Sequence, residues 1–595
     1  MKRPFLALTL LCASYARAQS EPPTYAHDIA PILNAQCVAC HHQDGPAPFP
    51  LTTYEQARSH AHQIAQVTGT HYMPPWLPDA QLDRFVDQLQ LNQLQIATLA
   101  AWAKAKAPAG DLATAPPAPA FPDGWQLGKP DLVLTAAAAW TMPASSVDQY
   151  RNFVFRVPID SARYVRAVEI RPGNTRIVHH ANVLLDTKHV SRRRDGEDGQ
   201  PGFPGMDIAL ESHAFEPDSH FIYWKPGAVV WSEPQGLSWE LDPGTDLILN
   251  MHLQASGKPE KIEPSLGLYF TQDPPTLRPM LLQLDADEQL DIPAGAQNFA
   301  VHDDFTLPID CDVLAVYPHA HYLGHELDTY ATLPDGSRQW LEKIPQWDQS
   351  WQGIYRYQRP IHLPRGTVIS MRFTYDNSAL NPRNPSLPPR RVTAGNSSTD
   401  EMAHVWLQIL PTPAEVNGED ARLLLQQAVM QHTLTKRPND FSAHFNLAAL
   451  ELARGNAAQA VQQLQAALAI QPNNAAALNS LGAAFRQQGR DAEAAEKFRQ
   501  AIAADPNYAD AHFNLAMQLG TAGDFAAAIP EFQRVLALSP NDADAEANLG
   551  AAYAQQEDWL AAEPHLSRAL ALDPRNKNAQ ANLEVVRQHT APPTP

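Results

Sequence analysis

Five prolines, Pro438, Pro472, Pro506, Pro540 and Pro574, stand 34 residues apart along the last third of the chain. No single helix or strand has so long a period, so the interval demands one supersecondary unit repeated in tandem. The same spacing carries Leu447-Ala448, Leu481-Gly482, Leu515-Ala516 and Leu549-Gly550, then Gly455, Gly489 and Gly523, then Ala460, Ala494, Ala528 and Ala562. Small residues let two helices approach, glycine supplies the turn between them, and proline stops the second helix. Each unit is therefore a helix–turn–helix whose apolar face only its neighbour can cover, which makes an α-helical solenoid. Four full units are expected between a leading helix near 419–434 and a closing helix near 577–588, in an array spanning 413–590.

The period and its small-residue positions resemble tetratricopeptide repeats. That resemblance implies a concave surface for a protein or peptide partner, or else a structural brace, because such repeats carry no chemistry of their own.

The opposite end reads as an export signal over 1–18. Lys2 and Arg3 precede an apolar run at 5–13, and Ala16-Arg17-Ala18 is a small-x-small cleavage site. The run is too short to span a membrane, and no later stretch reaches about 18 uninterrupted apolar residues, so no transmembrane segment is expected. The mature chain is expected to be exported, to a bacterial periplasm or the extracellular space. A formal charge of −20 and a pI near 5.5 argue against nucleic acid or an anionic membrane as partner. Four cysteines are too few for a disulfide scaffold. Cys12 leaves with the signal, and Cys311 is left as a buried thiol.

Cys37-Val38-Ala39-Cys40-His41 is the C-x-x-C-H pattern of covalent c-type haem attachment. Two thiols three apart reach two vinyl groups, and the next histidine lies beneath the ring as the proximal iron ligand. A zinc knuckle would need a second ligand pair, and a redox dithiol a βαβ context; neither is visible. Helices are expected near 25–33 and 91–106. Met73, in His71-Tyr72-Met73-Pro74-Pro75-Trp76, is the chosen distal ligand, with His60, His62 and His71 as alternatives. The surroundings resemble small all-α cytochrome c domains, implying one haem c on a domain at 19–106. A Pro/Ala-rich segment at 107–124 reads as a semi-extended linker to the next domain.

Residues 125–411 change texture, to short β-rich runs between Pro, Gly and Asp turns, enough for two β modules at 125–275 and 276–412. Three groups of metal-binding side chains stand in them. His179-His180 is embedded in an expected strand at 176–185, and His252 in another at 246–253. Neighbours in a strand face opposite ways, so the pair can share a metal only at a strand end, at a bulge, or through different ring nitrogens. His319 and His321, read as strand residues two apart, face the same way. With Met402 they make a set of two imidazoles and one thioether, and a thioether selects Cu(I).

The ordered segments Val178-His179-His180-Ala181, Met251-His252-Leu253, Pro318-His319-Ala320-His321-Tyr322-Leu323-Gly324 and Thr399-Asp400-Glu401-Met402 resemble the copper type II, ascorbate-dependent monooxygenases. That family includes peptidylglycine α-hydroxylating monooxygenase and dopamine β-monooxygenase. The resemblance implies two antiparallel, jelly-roll-like β-sandwich modules facing each other across a solvent-filled cleft, each with one of two copper ions. The first copper, on His179, His180 and His252, would store and transfer an electron. The second, on the catalytic set His319, His321 and Met402, would bind dioxygen and abstract hydrogen from a substrate C–H bond. Electrons would come from an ascorbate-like reductant or another redox protein, delivered through the tethered haem.

Where the peptide-hydroxylating enzymes clamp a terminal carboxylate, this chain has Tyr317, His404 and Trp406. Peptide amidation is therefore not supported, and these three residues line a different substrate pocket or simply pack. The whole reads as a multidomain copper monooxygenase acting on an organic or peptide substrate. The alternative is a non-catalytic, copper-binding electron relay whose repeats scaffold partner proteins.

Overall fold

The structure is a computed structural model. It describes residues 22–590 apart from 44, 46, 80, 83, 87, 122–123, 145–147, 188–189, 206–219 and 228. The expected export signal lies outside the described residues. No helix among them is long and apolar enough to cross a membrane.

A small helical unit comes first. A turn at Tyr25–Ile29 runs into the helix Ala30–Gln36, followed by Tyr54–Ser59, Ala61–Gly69 and Gln93–Lys104. Two of these helices start on reciprocal caps, in which Thr53 and Gln56, and likewise Asn92 and Gln95, exchange side-chain and backbone hydrogen bonds. Ile29, Leu33, Leu99 and Trp102 are fully buried at the centre.

The Pro/Ala segment is less free than a linker. The carbonyls of Pro108 and Ala109 accept from the Tyr25 and Ala26 N–H groups at 2.9 and 3.0 Å, and Pro108 also takes the Trp102 indole N–H at 3.0 Å. The first N–H groups of a helical stretch have no partner within it, and here the returning chain supplies them.

A second attachment carries no sequence signal. Asp79 N–H donates to Lys343 O at 2.8 Å, and Arg84, Phe85 and Val86 lie along the edge of the strand Tyr355–Leu363. Val86 N–H donates to Arg356 O, and Gln358 N–H to Arg84 O, each at 2.8 Å. Phe85, fully buried, stacks on Tyr357 at 5.2 Å and joins the apolar core of the sheets beyond.

The central region is built of antiparallel sheets. One four-stranded sheet runs in the order Leu132–Thr135, Ser265–Thr271, Arg163–Arg171, Trp239–Leu241. Its five-stranded companion runs Phe203–Pro204, Gln149–Arg156, Asp246–Leu253, Val178–Asp186, Tyr223–Trp224. One apolar cluster draws Val165, Ile170 and Leu268 from the first and Phe153, Val183 and Met251 from the second. All eight residues of Asp246–Leu253 are buried, as a central strand covered on both faces requires.

A further pair of four-stranded sheets comes next. One has the order Met280–Asp285, His404–Pro411, Cys311–His319, Tyr355–Leu363, and the other Phe299–Thr306, Val368–Tyr375, Gly324–Thr332, Arg338–Ile344. Leu282, Val313 and Leu407 meet Phe305, Leu327 and Met371 in their shared core.

Helices fill the rest. Ala421–Lys436 leads, four helix pairs run from Phe441–Ala453 to Trp559–Leu572, and Lys577–Thr590 closes the array. Gly455, Gly489 and Gly523 take φ of 77°, 71° and 82° at the turn inside each pair. At the fourth such turn the positive φ, 60°, falls on Glu557. The leading helix is keyed to the sheets: Lys436 Nζ and His432 Nε2 each lie 2.7 Å from the Asp303 carboxylate, and Arg437 pairs with Asp285.

Candidate metal centre

His179 and His180 lie on the strand Val178–Asp186, and His252 faces His180 on the adjacent strand. Of the strand end, the bulge and the use of different ring nitrogens, the structure shows an irregularity: the ladder shifts register between Val178 and His180. All three rings converge as a result. Nδ1 of His179 is 3.2 Å from Nδ1 of His252 and 3.2 Å from Nδ1 of His180, and ligand atoms of the three fall within 4.8 Å of one another. Burial first, then the neighbouring imidazole of His252, pushes His179 down to about 4 and His180 well below the usual range. Both are neutral at pH 7, with lone pairs available.

Asp148, which no sequence motif marks, completes this group. Its Oδ2 lies 3.0 Å from Nε2 of His252, so the ring proton sits there and Nδ1 is left bare. Tyr150 stacks on the same ring at 4.5 Å. Three converging imidazoles, one of them oriented by a carboxylate, fit a copper or zinc ion.

His319 ends the strand Cys311–His319, and His321 lies in the turn beyond it, so the two do not share a strand face. Their rings nevertheless converge, with centroids 5.2 Å apart and planes at 87°. Glu401 makes the turn. Its buried carboxylate takes the N–H groups of His321 at 2.7 Å, Leu323 at 2.6 Å and Met402 at 3.3 Å, tying Met402 to the histidine turn. Nδ1 of His321 donates to the Asp400 carbonyl, and Nδ1 of His319 to Oε1 of Gln352 at 2.7 Å. Both Nε2 atoms are thereby the ones left for a ligand. Met402 is buried, and its carbonyl accepts from the Tyr375 hydroxyl at 2.7 Å.

Instead of facing each other across solvent, the two groups are joined by one side chain. Gln352, 2% exposed, accepts from His319 through Oε1 while its Nε2 lies 3.2 Å from Nδ1 of His180. Tyr317 stands beside it, with its hydroxyl 3.3 Å from Gln352 Oε1 and its ring stacked on Trp406 at 5.4 Å. His404 pairs with His319 across the ladder. Its Nε2 is 2.7 Å from Asp287, and its Nδ1 is buried without a partner.

A cavity of about 390 Å³ opens in the N-terminal unit, lined by Cys37, Cys40, His41 and Met73 among apolar walls that include Leu51, Ile64 and Val67. His41 donates Nδ1–H to the Phe49 carbonyl at 2.9 Å, leaving Nε2 bare. Burial and the neighbouring Cys40 push the Cys37 thiol up to about 12. Of the four residues considered for the far side, Met73 is the one that lines the cavity, whereas His60 stacks on Phe49 at 3.8 Å. Two thiols, one bare imidazole nitrogen and a thioether in an apolar cavity fit a covalently held haem. Cys311 is buried with its Sγ 3.6 Å from the Ile309 carbonyl.

Comparison with known proteins bears on the other end of the chain. The family described as "TPR repeat" matches residues 450–489 and 482–520, and "Tetratricopeptide repeat" matches 513–577. The C-terminal array is a tetratricopeptide repeat. Its helix pairs and prolines follow that pattern throughout 441–572, with glycine at three of the four inner turns. No curated protein matches the chain. Among solved structures, it is similar to MamA, at 21% identity over 25% of this chain and 90% of that one, TM-score 0.24. It is similar too to YrrB, described as a TPR protein with an unusual peptide-binding site, at 21% identity over 28% and 84%, TM-score 0.26. The first TPR of Spaghetti (RPAP3), bound to an HSP90 peptide, is 26% identical over 20% and 94%, TM-score 0.20.

Proposed function

We propose that this chain is an exported copper monooxygenase that hydroxylates a C–H bond with O2, its electrons delivered through a haem c on the N-terminal unit. The observation that carries the reading is the convergence of His179, His180 and His252 beside His319 and His321, with Gln352 between them. In this reading the two sheet pairs are the two β-sandwich copper modules, and the N-terminal unit is a cytochrome c domain.

Two copper ions would supply one-electron storage and the activation of dioxygen. The first would sit on His179, His180 and His252, and the second on His319, His321 and Met402. The chain's own residues hold these donors ready. Asp148 fixes the His252 tautomer, Glu401 shapes the turn that presents His321 and Met402, and burial keeps the imidazoles unprotonated. Cys37 and Cys40 would attach the haem, with His41 and Met73 as its axial ligands. Tyr317, Trp406 and His404, whose Nδ1 is buried and unpartnered, would form the wall met by an organic or peptide substrate. A tetratricopeptide array suits a peptide or protein partner, and here it would present one to the copper modules.

Metal analysis and EPR of the holoprotein beside Met402→Ala test this. Two coppers and one haem per chain, with the variant losing one copper or its Cu(I) affinity, are expected. Zinc, or a single copper indifferent to Met402, overturns the paired-copper mechanism. The burial of His319 and His321, 9% and 4% exposed, favours a second reading as a non-catalytic electron relay. Substrate-dependent oxygen uptake separates the two.

A further inference from the structure

The turn Gln349–Trp351 and the residue after it touch both redox regions of the molecule at once. Towards the sheets, the Gln349 backbone hydrogen-bonds the His179 ring, and the Gln352 side chain reaches both His180 and His319. Towards the N-terminal unit, Trp351 lines the cavity that holds Cys37, Cys40, His41 and Met73, and its ring meets Tyr72 edge-on at 6.3 Å. Trp351 and Gln352 are adjacent in the chain. One peptide bond therefore separates the wall of that cavity from a side chain bonded to both histidine groups.

The segment is held rather than draped. Asp348 caps the turn by accepting from the Ser350 N–H at 3.0 Å, and it pairs with Arg383 at 3.2 Å. The Trp351 carbonyl accepts from Lys225 Nζ at 3.2 Å. Gly353 permits that approach, because a Cβ there would stand 2.6 Å from Lys225 Nζ. Lys225 lines a second cavity together with Ala39 and Cys40, so the Cys40 edge of the motif is the edge turned towards this segment. Arg84, Phe85 and Val86, paired along Tyr355–Leu363, tie the chain leaving the helical unit to the sheet a few residues further on.

We propose that Trp351 and Gln352 form the route by which single electrons pass from the N-terminal cavity to the histidine groups. Trp351 is the contact at the cavity wall, and Gln352 is the positioning residue that joins it to His180 and His319. The route rests on the haem and copper reading of the two regions. With haem and copper bound, each transfer would oxidise one ferrous haem to ferric and reduce one cupric ion to cuprous, with no bond made or broken. Contiguous packing and hydrogen bonding of this kind is the physical medium for coupling between two sites. The same residues explain why the histidine groups are bridged: Gln352 can serve both from one position.

Pulse radiolysis of the oxidised, fully loaded holoprotein tests the route, by placing one electron on the haem and following its reoxidation by Cu(II). The wild type is expected to reoxidise in a first-order phase independent of protein concentration. Trp351→Leu and Gln352→Leu are each expected to slow that phase by about tenfold or more. Copper EPR should stay as in the wild type in Trp351→Leu, and the haem reduction potential in Gln352→Leu, each variant being checked at the site its side chain does not touch. Gln352→Glu keeps the acceptor for His319 but removes the donor to His180, so it is expected to slow the phase while preserving the EPR signal of the His319 group. Unchanged rates in loaded Trp351→Leu and Gln352→Leu overturn the route and leave the haem and copper reading standing. A reoxidation whose rate scales with protein concentration also overturns it. A wild-type chain that takes up no haem or no copper overturns the functional reading itself, and the route with it.

Discussion

Oδ2 of Asp148 lies 3.0 Å from Nε2 of His252, on the edge of the ring opposite the Nδ1 that faces His179. Burial would raise this carboxyl, but the bonds from His252 and the Ala255 N–H, together with the nearby imidazoles of His252 and His179, outweigh it and hold Asp148 below its usual range. The pair is the orienting device of the three-histidine group. Asp148→Ala is therefore expected to weaken copper retention there by about 10–100-fold. Chelator competition followed by EPR checks this, and the His319 group should keep its signal. Equal retention by variant and wild type would rule out an orienting role.

Glu342 makes the opposite kind of contact. It is fully buried, Thr329 donates to its Oε2 at 3.3 Å, and its Oε1 has no partner. Burial raises its pKa well above the ordinary 4.5. The folded chain keeps a proton that the unfolded chain releases, so stability falls as pH rises above 4.5 until the folded value is reached. Glu342→Gln removes the ionisable group. Its Tm is expected to exceed that of the wild type at alkaline pH, with the gap closing as pH falls below 4.5. Parallel Tm profiles across that range would contradict the assignment.

Asp303 joins the sheets to the repeat array. Burial acts to raise its pKa, but the bonds from His432 and Lys436 outweigh it and hold the group below the ordinary 3.8. The sign is the reverse of that at Glu342. Stability from this pair is fully present above pH 3.8 and is lost as pH falls through the lower folded value. Asp303→Asn is expected to cost about 3 kcal/mol at the junction and to loosen it already at neutral pH. Small-angle scattering should show the variant more extended than the wild type; identical profiles would place the joint elsewhere.

Glu557 occupies a turn position that three other repeats fill with glycine, at φ of 60°. A side chain there carries a steric penalty that glycine escapes. Glu557→Gly is expected to stabilise the array by about 1 kcal/mol, and Gly489→Glu to destabilise it by a similar amount. Urea unfolding followed by helix circular dichroism reads both. A Glu557→Gly chain no more stable than the wild type would mean that local packing already compensates the backbone.

The repeats were legible because their signal is local and recurs: proline, glycine and small-residue positions return every 34 residues, and the helices fall where that spacing puts them. The three-histidine group was legible because a His-His pair in a strand can share one site at an irregularity, and the ladder has one. His321 was misplaced on a strand because nothing in the His-x-His pattern shows that Glu401, far along the chain, bends the backbone after His319. Asp148 and Gln352 were missed for a related reason. They act on His252 and His180 across 104 and 172 residues, and an isolated Asp or Gln carries no motif. The attachment at Phe85 was equally hidden, since Phe85 reads as any aromatic residue until Tyr357 is beside it.

That attachment also sets a schedule. A chain made from its N-terminus completes the helical unit long before Tyr355–Leu363 exists to receive Phe85. During that interval the wall that Trp351 later provides is missing, and the cavity beside Cys37 and Cys40 stands open. On the haem reading, attachment to those thiols would fall in that interval. In the finished fold Phe85 belongs to the core of those sheets and Trp351 to the wall of the cavity, so the last part of the N-terminal cavity is supplied by a segment more than 300 residues beyond Cys37 and Cys40 in the chain.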